Sequence, residues 1–162
     1  MLRRRRHRAG QQTGFTLIEL LVTLSVLAIL ATVAAPAMVS LVDRNTLAAR
    51  TNAVNATLRT ARNEAIRGAR RIELVYNSGA KTLRIMDEAE NEQLHESDAL
   101  SGVDVSLSAD IVFSQEGHLV GPNDVVHLQI TRHESRWICV FRTGIIARVD
   151  ADLANNYCRE PS

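Results

Sequence analysis

Apolar residues follow three successive patterns along this chain, and each predicts a different element. From Leu20 to Val42 there are 23 residues without a charged side chain. As an α-helix they extend about 34 Å at about 1.5 Å per residue, against a bilayer hydrocarbon core of about 30 Å. That is long enough to span. Next, Leu47, Val54, Leu58, Ala61 and Ala65 recur at spacings of 7, 4, 3 and 4, one face of a helix. Arg50, Asn52, Asn55, Arg59, Arg62 and Asn63 fill the polar positions between them. Gly68 is a stop signal, with Arg67 placed to favour the helix dipole. The pattern therefore predicts one helix from Phe15 to Arg67, bent near Pro36, where the ring removes a donor and crowds the preceding turn. Its first half is apolar all round. Its second half has one face that the rest of the chain must cover.

From Arg71 onward the period becomes two. Ile72–Tyr76 and Lys81–Ile85 flank Asn77-Ser78-Gly79-Ala80, which predicts a hairpin with a short loop. Val103–Leu107 alternates cleanly, Ile111–Phe113 follows, and His118–Val120 comes after Gly117. Gly121-Pro122-Asn123-Asp124 is a turn, and Val125–Ile130, Trp137–Phe141 and Ile145–Val149 complete the set. Seven or eight short strands packed on an amphipathic helix make an α+β body with a single core.

Composition changes this picture in one respect. The 162 residues make about one domain. Apolar residues are 46% and charged residues 23%, which argues against wholesale disorder. Aromatics are only 4%, leaving little for base stacking. The net charge of +1 conceals an asymmetry: Arg3, Arg4, Arg5, Arg6 and Arg8 precede Gly14 without an acid among them. Residues 15–162 then hold 14 Lys and Arg against 18 Asp and Glu, about −4. A basic leader is joined to a mildly acidic body, which disfavours a nucleic-acid binder.

The leader sets the orientation. A cleaved secretory signal has an apolar region of about 7–15 residues followed by small residues. Ala34-Ala35-Pro36-Ala37 imitates the cleavage site weakly, and the apolar run continues past it. A retained membrane helix is the better reading, with the arginines holding the N-terminus in the cytoplasm and the body on the far side. In a bacterium that side is the oxidising periplasm. Cys139 and Cys158, nineteen positions apart, are then most simply a disulfide worth about 3 kcal/mol on the chain-entropy model. The wide spacing, with no CxxC and no third ligand, disfavours a redox or metal pair.

One carboxylate interrupts the apolar helix near its head. Glu19 lies in Gly14-Phe15-Thr16-Leu17-Ile18-Glu19, and a charge deep in a bilayer costs at least about 2.5–3.5 kcal/mol. By itself it reads as an interfacial side chain reaching water. The whole segment, following a basic leader, resembles the class III signal of type IV prepilins and type II secretion pseudopilins. The resemblance implies that a membrane prepilin peptidase cuts between Gly14 and Phe15, that Phe15 is then N-methylated, and that Glu19 pairs with the N-terminal amine of a neighbouring subunit to set the register of assembly. Cutting ahead of the apolar run removes the arginines yet leaves the helix attached to the body.

Downstream, Arg59-x-x-Arg62-Asn63-Glu64-Ala65, Phe113-Ser114-Gln115-Glu116-Gly117 and the Arg136–Val149 segment around Gly144 resemble the GspH/FimT family of minor pilins and pseudopilins. The expectation is a type IV pilin-like α+β fold: a long N-terminal helix, its first half transmembrane, packed against a C-terminal antiparallel sheet domain. Residues 1–14 are then a cleaved leader, 15–42 the membrane and assembly half of the helix, and 43–162 the periplasmic body. The implied function is structural, at or near the tip of a type IV pilus or type II secretion pseudopilus. Its partners are other pilin subunits, the prepilin peptidase and the inner membrane.

Some members of this family bind DNA through a Gly-Arg-x-Arg motif in the last hairpin, which makes DNA uptake the alternative function. Here the motif reads Gly144-Ile145-Ile146-Ala147-Arg148, so only Arg148 remains. With Arg142, Arg132 and Arg159 it makes at most a thin phosphate-contacting patch on an acidic body. No cofactor or metal is expected. His133-Glu134-Ser135-Arg136-Trp137 lacks the second histidine of HExxH, and no nucleophile elbow, Walker loop or dinucleotide fingerprint occurs. His118 and His127 read as exposed polar positions. Asp87–Glu92, with Glu96 and Asp98, lacks EF-hand spacing and reads as a solvated loop.

Overall fold

The computed structural model describes residues 15–150 and Cys158. Helix α1 (Leu17–Gly68) is 52 residues long and matches the expected span closely. Thr16 precedes it, and its Oγ1 accepts a hydrogen bond from the Glu19 amide at 3.2 Å, satisfying one donor that a helix start leaves open. Pro36 lies inside α1 without ending it. The left-handed position that closes the helix falls one residue beyond the expected glycine: Ala69 holds φ at +46°. Arg70 N donates to Ala65 O at 3.2 Å and Ala69 N to Ile66 O at 3.4 Å, the paired bonds of a Schellman ending.

The chain divides between Ser40 and Leu41 into two compact units. In the first, every described side chain is exposed, including Phe15 at 86% and Val33 at 73%. The hydroxyls of Thr23, Ser25, Thr32 and Ser40 each donate to a carbonyl three or four residues earlier, so none of them calls for water.

The second unit carries the strands β1 (Ile72–Asn77), β2 (Thr82–Asp87), β3 (Gln93–Glu96), β4 (Asp104–Leu107), β5 (Ile111–Phe113), β6 (Leu119–Val120), β7 (Val125–Thr131), β8 (Ser135–Phe141) and β9 (Ile146–Asp150). All pairings are antiparallel. They form two sheets, β3-β2-β1-β5-β6 and β4-β7-β8-β9. The five helix positions read from their spacing are all buried. They join Ile72, Leu74, Leu83 and Ile85 of the first sheet and Val126, Leu128, Ile130, Ile138 and Val140 of the second in one core. Strand β7 alternates strictly between half-buried and buried, with Leu128 opposite Ile138 and Val126 opposite Val140. Strand β8 is buried on both faces from Ile138 to Phe141.

The acid-rich stretch departs from its reading as a solvated loop. Asp87 ends β2, only 3% exposed, and pairs with Arg70 at 2.9 Å. Glu96 lies on β3, a strand the pattern did not predict, and pairs with Arg84 at 3.2 Å. Leu94 is the sole apolar residue of β3, so an edge strand of this composition has no alternation to read. Residues 88–92 remain an exposed turn, and Asp98 an exposed loop position.

Candidate functional site

The N-terminal site is built on the first turn of α1. Gly14 lies outside the described residues, and Phe15 is exposed just before the helix. Glu19 is in the first turn, where the helix dipole favours a carboxylate. Thr16-Leu17-Ile18-Glu19 has capping-box spacing, but only the Thr16 half of the box is made, and no described residue donates to the Glu19 carboxylate. From Leu17 to Val42 the polar side chains are Glu19 and four hydroxyls. The hydroxyls are satisfied within the helix, so the Glu19 carboxylate is the polar group on this segment whose partner must come from elsewhere.

In the body, three motifs far apart in sequence meet. Arg62 on α1 donates its Nε to Gly117 O at 2.9 Å. Gly117 and Gly144 both hold φ at +79°, a conformation that disfavours any side chain. A Cβ at Gly144 would strike the Gly117 carbonyl and lie 2.7 Å from Arg62 Nε, so the β5–β6 and β8–β9 turns approach as closely as backbone allows. The Gly117 turn, the Gly144 turn and the last turns of α1 thus form one assembly. It borders a depression of about 340 Å³ lined by Arg59, Arg62, Asn63, Gly144, Ile145 and Ile146.

The arginines of the thin phosphate-contacting patch are engaged within the body. Arg142 donates its Nε to Asp124 at 2.8 Å, and Arg148 donates to Asn52 Oδ1. Arg132 donates its Nε to Asp43 at 2.8 Å and its Nη1 to Gly102 O at 2.9 Å. Arg159 lies outside the described residues. Asp43 is the first charge after the apolar run. It also lies 3.1 Å from His133 Nδ1, so it ties α1 to the β7–β8 turn. Neither Arg132–Asp43, 89 positions apart, nor Arg70–Asp87 has a sequence signature, because long-range ion pairs leave no periodicity.

His118 is exposed as expected, but His127 is half-buried against Trp137, with ring centroids 5.5 Å apart. Both rings lie on the face of the second sheet that carries Cys139, because His127 is the cross-strand partner of Cys139. Cys139 is bonded to Cys158, with Cα atoms 5.5 Å apart. Among the described residues, no group of three His, Cys, Asp or Glu is placed to hold a metal.

Three carboxyl groups in the body, those of Asp87, Glu96 and Glu116, are held below their ordinary range, Glu116 chiefly by hydrogen bonds from the Ser114 and Gln115 side chains. For Asp87, burial opposes ionisation but is outweighed by amide donors from Ala89 and Glu90 and by Arg70. For Glu96 the Thr82 hydroxyl contributes most, then Arg84, again against desolvation. Both pairs are structural and set the β2–β3 region.

Comparison with known proteins agrees with this geometry. Residues 10–35 match the prokaryotic N-terminal methylation motif, and residues 50–144 match the family described as type II transport protein GspH. No curated protein sequence matches the chain. Among solved structures, the chain resembles the type IV minor pilin FimU of Pseudomonas aeruginosa with a TM-score of 0.60 at 22% identity, covering 72% of this chain and 97% of that one. It also resembles the minor pseudopilin EpsH from the type 2 secretion system of Vibrio cholerae, with a TM-score of 0.50 at 11% identity, covering 62% of this chain and 94% of that one. Both likenesses establish the fold, a long N-terminal helix packed on antiparallel sheets. Neither these matches nor the contacts of Arg142 and Arg148 support the DNA-binding alternative.

Proposed function

The chain belongs to the family of the type II transport protein GspH, the minor pilins and pseudopilins, and on that premise we propose that it is a structural subunit at or near the tip of a type IV pilus or type II secretion pseudopilus, where it promotes assembly. In this reading residues 1–14 are the leader, removed by prepilin peptidase between Gly14 and Phe15, and the new amino group of Phe15 is methylated. Residues 15–42 cross the inner membrane with the N-terminus cytoplasmic, and residues 43–162 form the periplasmic body. The apolar half of α1 later leaves lipid for a bundle of neighbouring helices, where its exposed side chains find cover.

The observation that carries the proposal is the isolation of Glu19 on a helix that otherwise satisfies its own polar groups. A carboxylate in that setting is stabilised by a cation brought to it, and the amine of an adjacent processed subunit is such a cation. The match to the methylation motif over residues 10–35 supports the assignment.

Intact mass of the chain isolated from membranes tests the processing: a species starting at Phe15 with one added methyl is expected, and a retained leader or cleavage after Ala35 or Ala37 overturns it. Glu19→Ala is expected to insert in the membrane normally yet fail to enter filaments. Undiminished co-assembly of that variant removes the role given to Glu19.

A further inference from the structure

We propose that the outer face of the first sheet, with a depression at its β5–β6 edge, docks a different filament subunit. The docking group is a lysine or arginine flanked by apolar side chains. Ile72 and Leu74 of β1 belong to the core, so Glu73 and Val75 lie on the opposite face. Glu73 sits between its cross-strand partners Met86 and Val112, and Val112 is opposite Val120. A carboxylate is thus set among half-buried apolar side chains, with Val75, two positions on, 37% exposed. Among the described residues of the body, the carboxylates sheltered from solvent are those of Asp43, Glu64, Glu73 and Asp87. Arg132, Arg67 and Arg70 pair with Asp43, Glu64 and Asp87 respectively. Glu73 alone of the four has no ion pair or hydrogen bond from a described residue. The nearby cations are engaged elsewhere: Arg84, opposite Val75, pairs with Glu96 at 3.2 Å, and Arg71 with Glu88 at 3.6 Å.

The same valines continue into the depression. It measures about 320 Å³, and Val112, Leu119, Val120, Pro122 and Val126 line it with Asp110, the one charged residue of its lining. Asp110 also has no ion pair among the described residues. Two other depressions on the body are lined by arginines instead, Arg59 with Arg62 and Arg136 with Arg148, so this one differs in sign. Its Gly121–Asn123 wall is fixed from behind. Arg142 N donates to Asp124 O at 2.7 Å, Arg142 Nε to Asp124 Oδ1 at 2.8 Å, and Leu119 N to Arg142 O at 3.0 Å. A surface formed in advance loses little freedom when it is covered. An apolar floor with carboxylates at its margin fits a long cationic side chain. The methylene stem covers the valines while the charged head reaches Asp110 or Glu73. A phosphate of nucleic acid or lipid would meet two unneutralised carboxylates. A subunit at the tip is bordered by subunits of other kinds, so the occupant is a different chain. This surface presupposes the filament reading and deepens it, giving the body a face toward its neighbour in addition to the contact that Glu19 makes between helices.

Photo-crosslinking of the full chain in the cells that make it tests this, with p-benzoylphenylalanine at Asn123, which is exposed in the wall of the depression. The expected product is an adduct with one other prepilin-type subunit, joined beside a lysine or arginine that has apolar neighbours. Glu73→Gln with Asp110→Asn should lower the adduct at least about tenfold. The same variant should leave the urea midpoint of the detergent-solubilised chain unchanged, since neither carboxylate has a partner within the body. A lowered midpoint assigns the two carboxylates to the fold and overturns the proposal. Glu73→Lys with Asp110→Lys should abolish the adduct, and changing the joined cation of the other subunit to glutamate should restore it. An adduct with a second copy of this chain, a lipid, a nucleic acid or a protein outside the filament overturns the proposal. So does an adduct that ignores these substitutions, or none at all. Leader removal and filament entry are read separately. Loss of the adduct beside a normal Phe15 start and normal filament entry sinks this surface alone, and a retained leader sinks the filament reading even where an adduct forms.

Discussion

Ala69 holds φ at +46°, a conformation that costs a residue with a Cβ about 1–2 kcal/mol. Glycine is free of that strain but loses more backbone entropy on folding, about 0.4–1 kcal/mol. Ala69→Gly should therefore stabilise the body by about 0.5–1 kcal/mol, seen as a higher urea midpoint at unchanged slope. Asp87 is the opposite case, a residue already well placed. Its folded carboxyl is held low, so its contribution is present above the ordinary carboxylate range and is lost as pH falls through that range toward the lowered folded value. Glu96 acts in the same direction. Stability should fall on acidification over that window, and Asp87→Asn should flatten the fall when unfolding is followed against pH. A pH dependence unchanged in that variant assigns the loss to other groups. Composition alone placed Asp87 in solvent, because burial of a charge is decided by the arginine brought to it.

At the scale of elements, α1 and the long strands were legible because one face of each is buried. The helix shows it as spacings of 3, 4 and 7, and β7 as strict alternation. Where neither face is cleanly buried the pattern disappears, which is why β3 was missed. Turns were legible as positions but not as contacts. Gly117 and Gly144 mark turns in the sequence, yet their apposition over Arg62 depends on two hairpins meeting at the helix end. Gly144→Ala would force a left-handed conformation on a residue with a Cβ and drive that Cβ into the Gly117 carbonyl. A loss of about 2 kcal/mol or more is expected in denaturant unfolding. A loss below about 0.5 kcal/mol would mean that the two turns are free to separate.

At the scale of the whole molecule, the disulfide joins Cys139, fully buried on β8, to a residue nineteen positions on. Cys139→Ala with Cys158→Ala should lower stability by about 3 kcal/mol, followed by the fluorescence of Trp137 two residues away. An unchanged unfolding midpoint would show that the cross-link adds nothing to the stability of the body. The sequence by itself determined the membrane-length helix, the processing signal, the amphipathic second half of α1 and most of the strands. Each of these is written in local order, as runs, periods and motifs that a short window of chain contains. Tertiary structure alone decided that the strands divide into two sheets over one core, and that Arg62, Gly117 and Gly144 form one assembly. It also decided that Asp43 and Asp87 take arginine partners while, among the described residues, Arg59 and Arg62 have no carboxylate partner. Those outcomes depend on which distant segments are brought within a few ångströms, and that selection is made by packing the core as a whole.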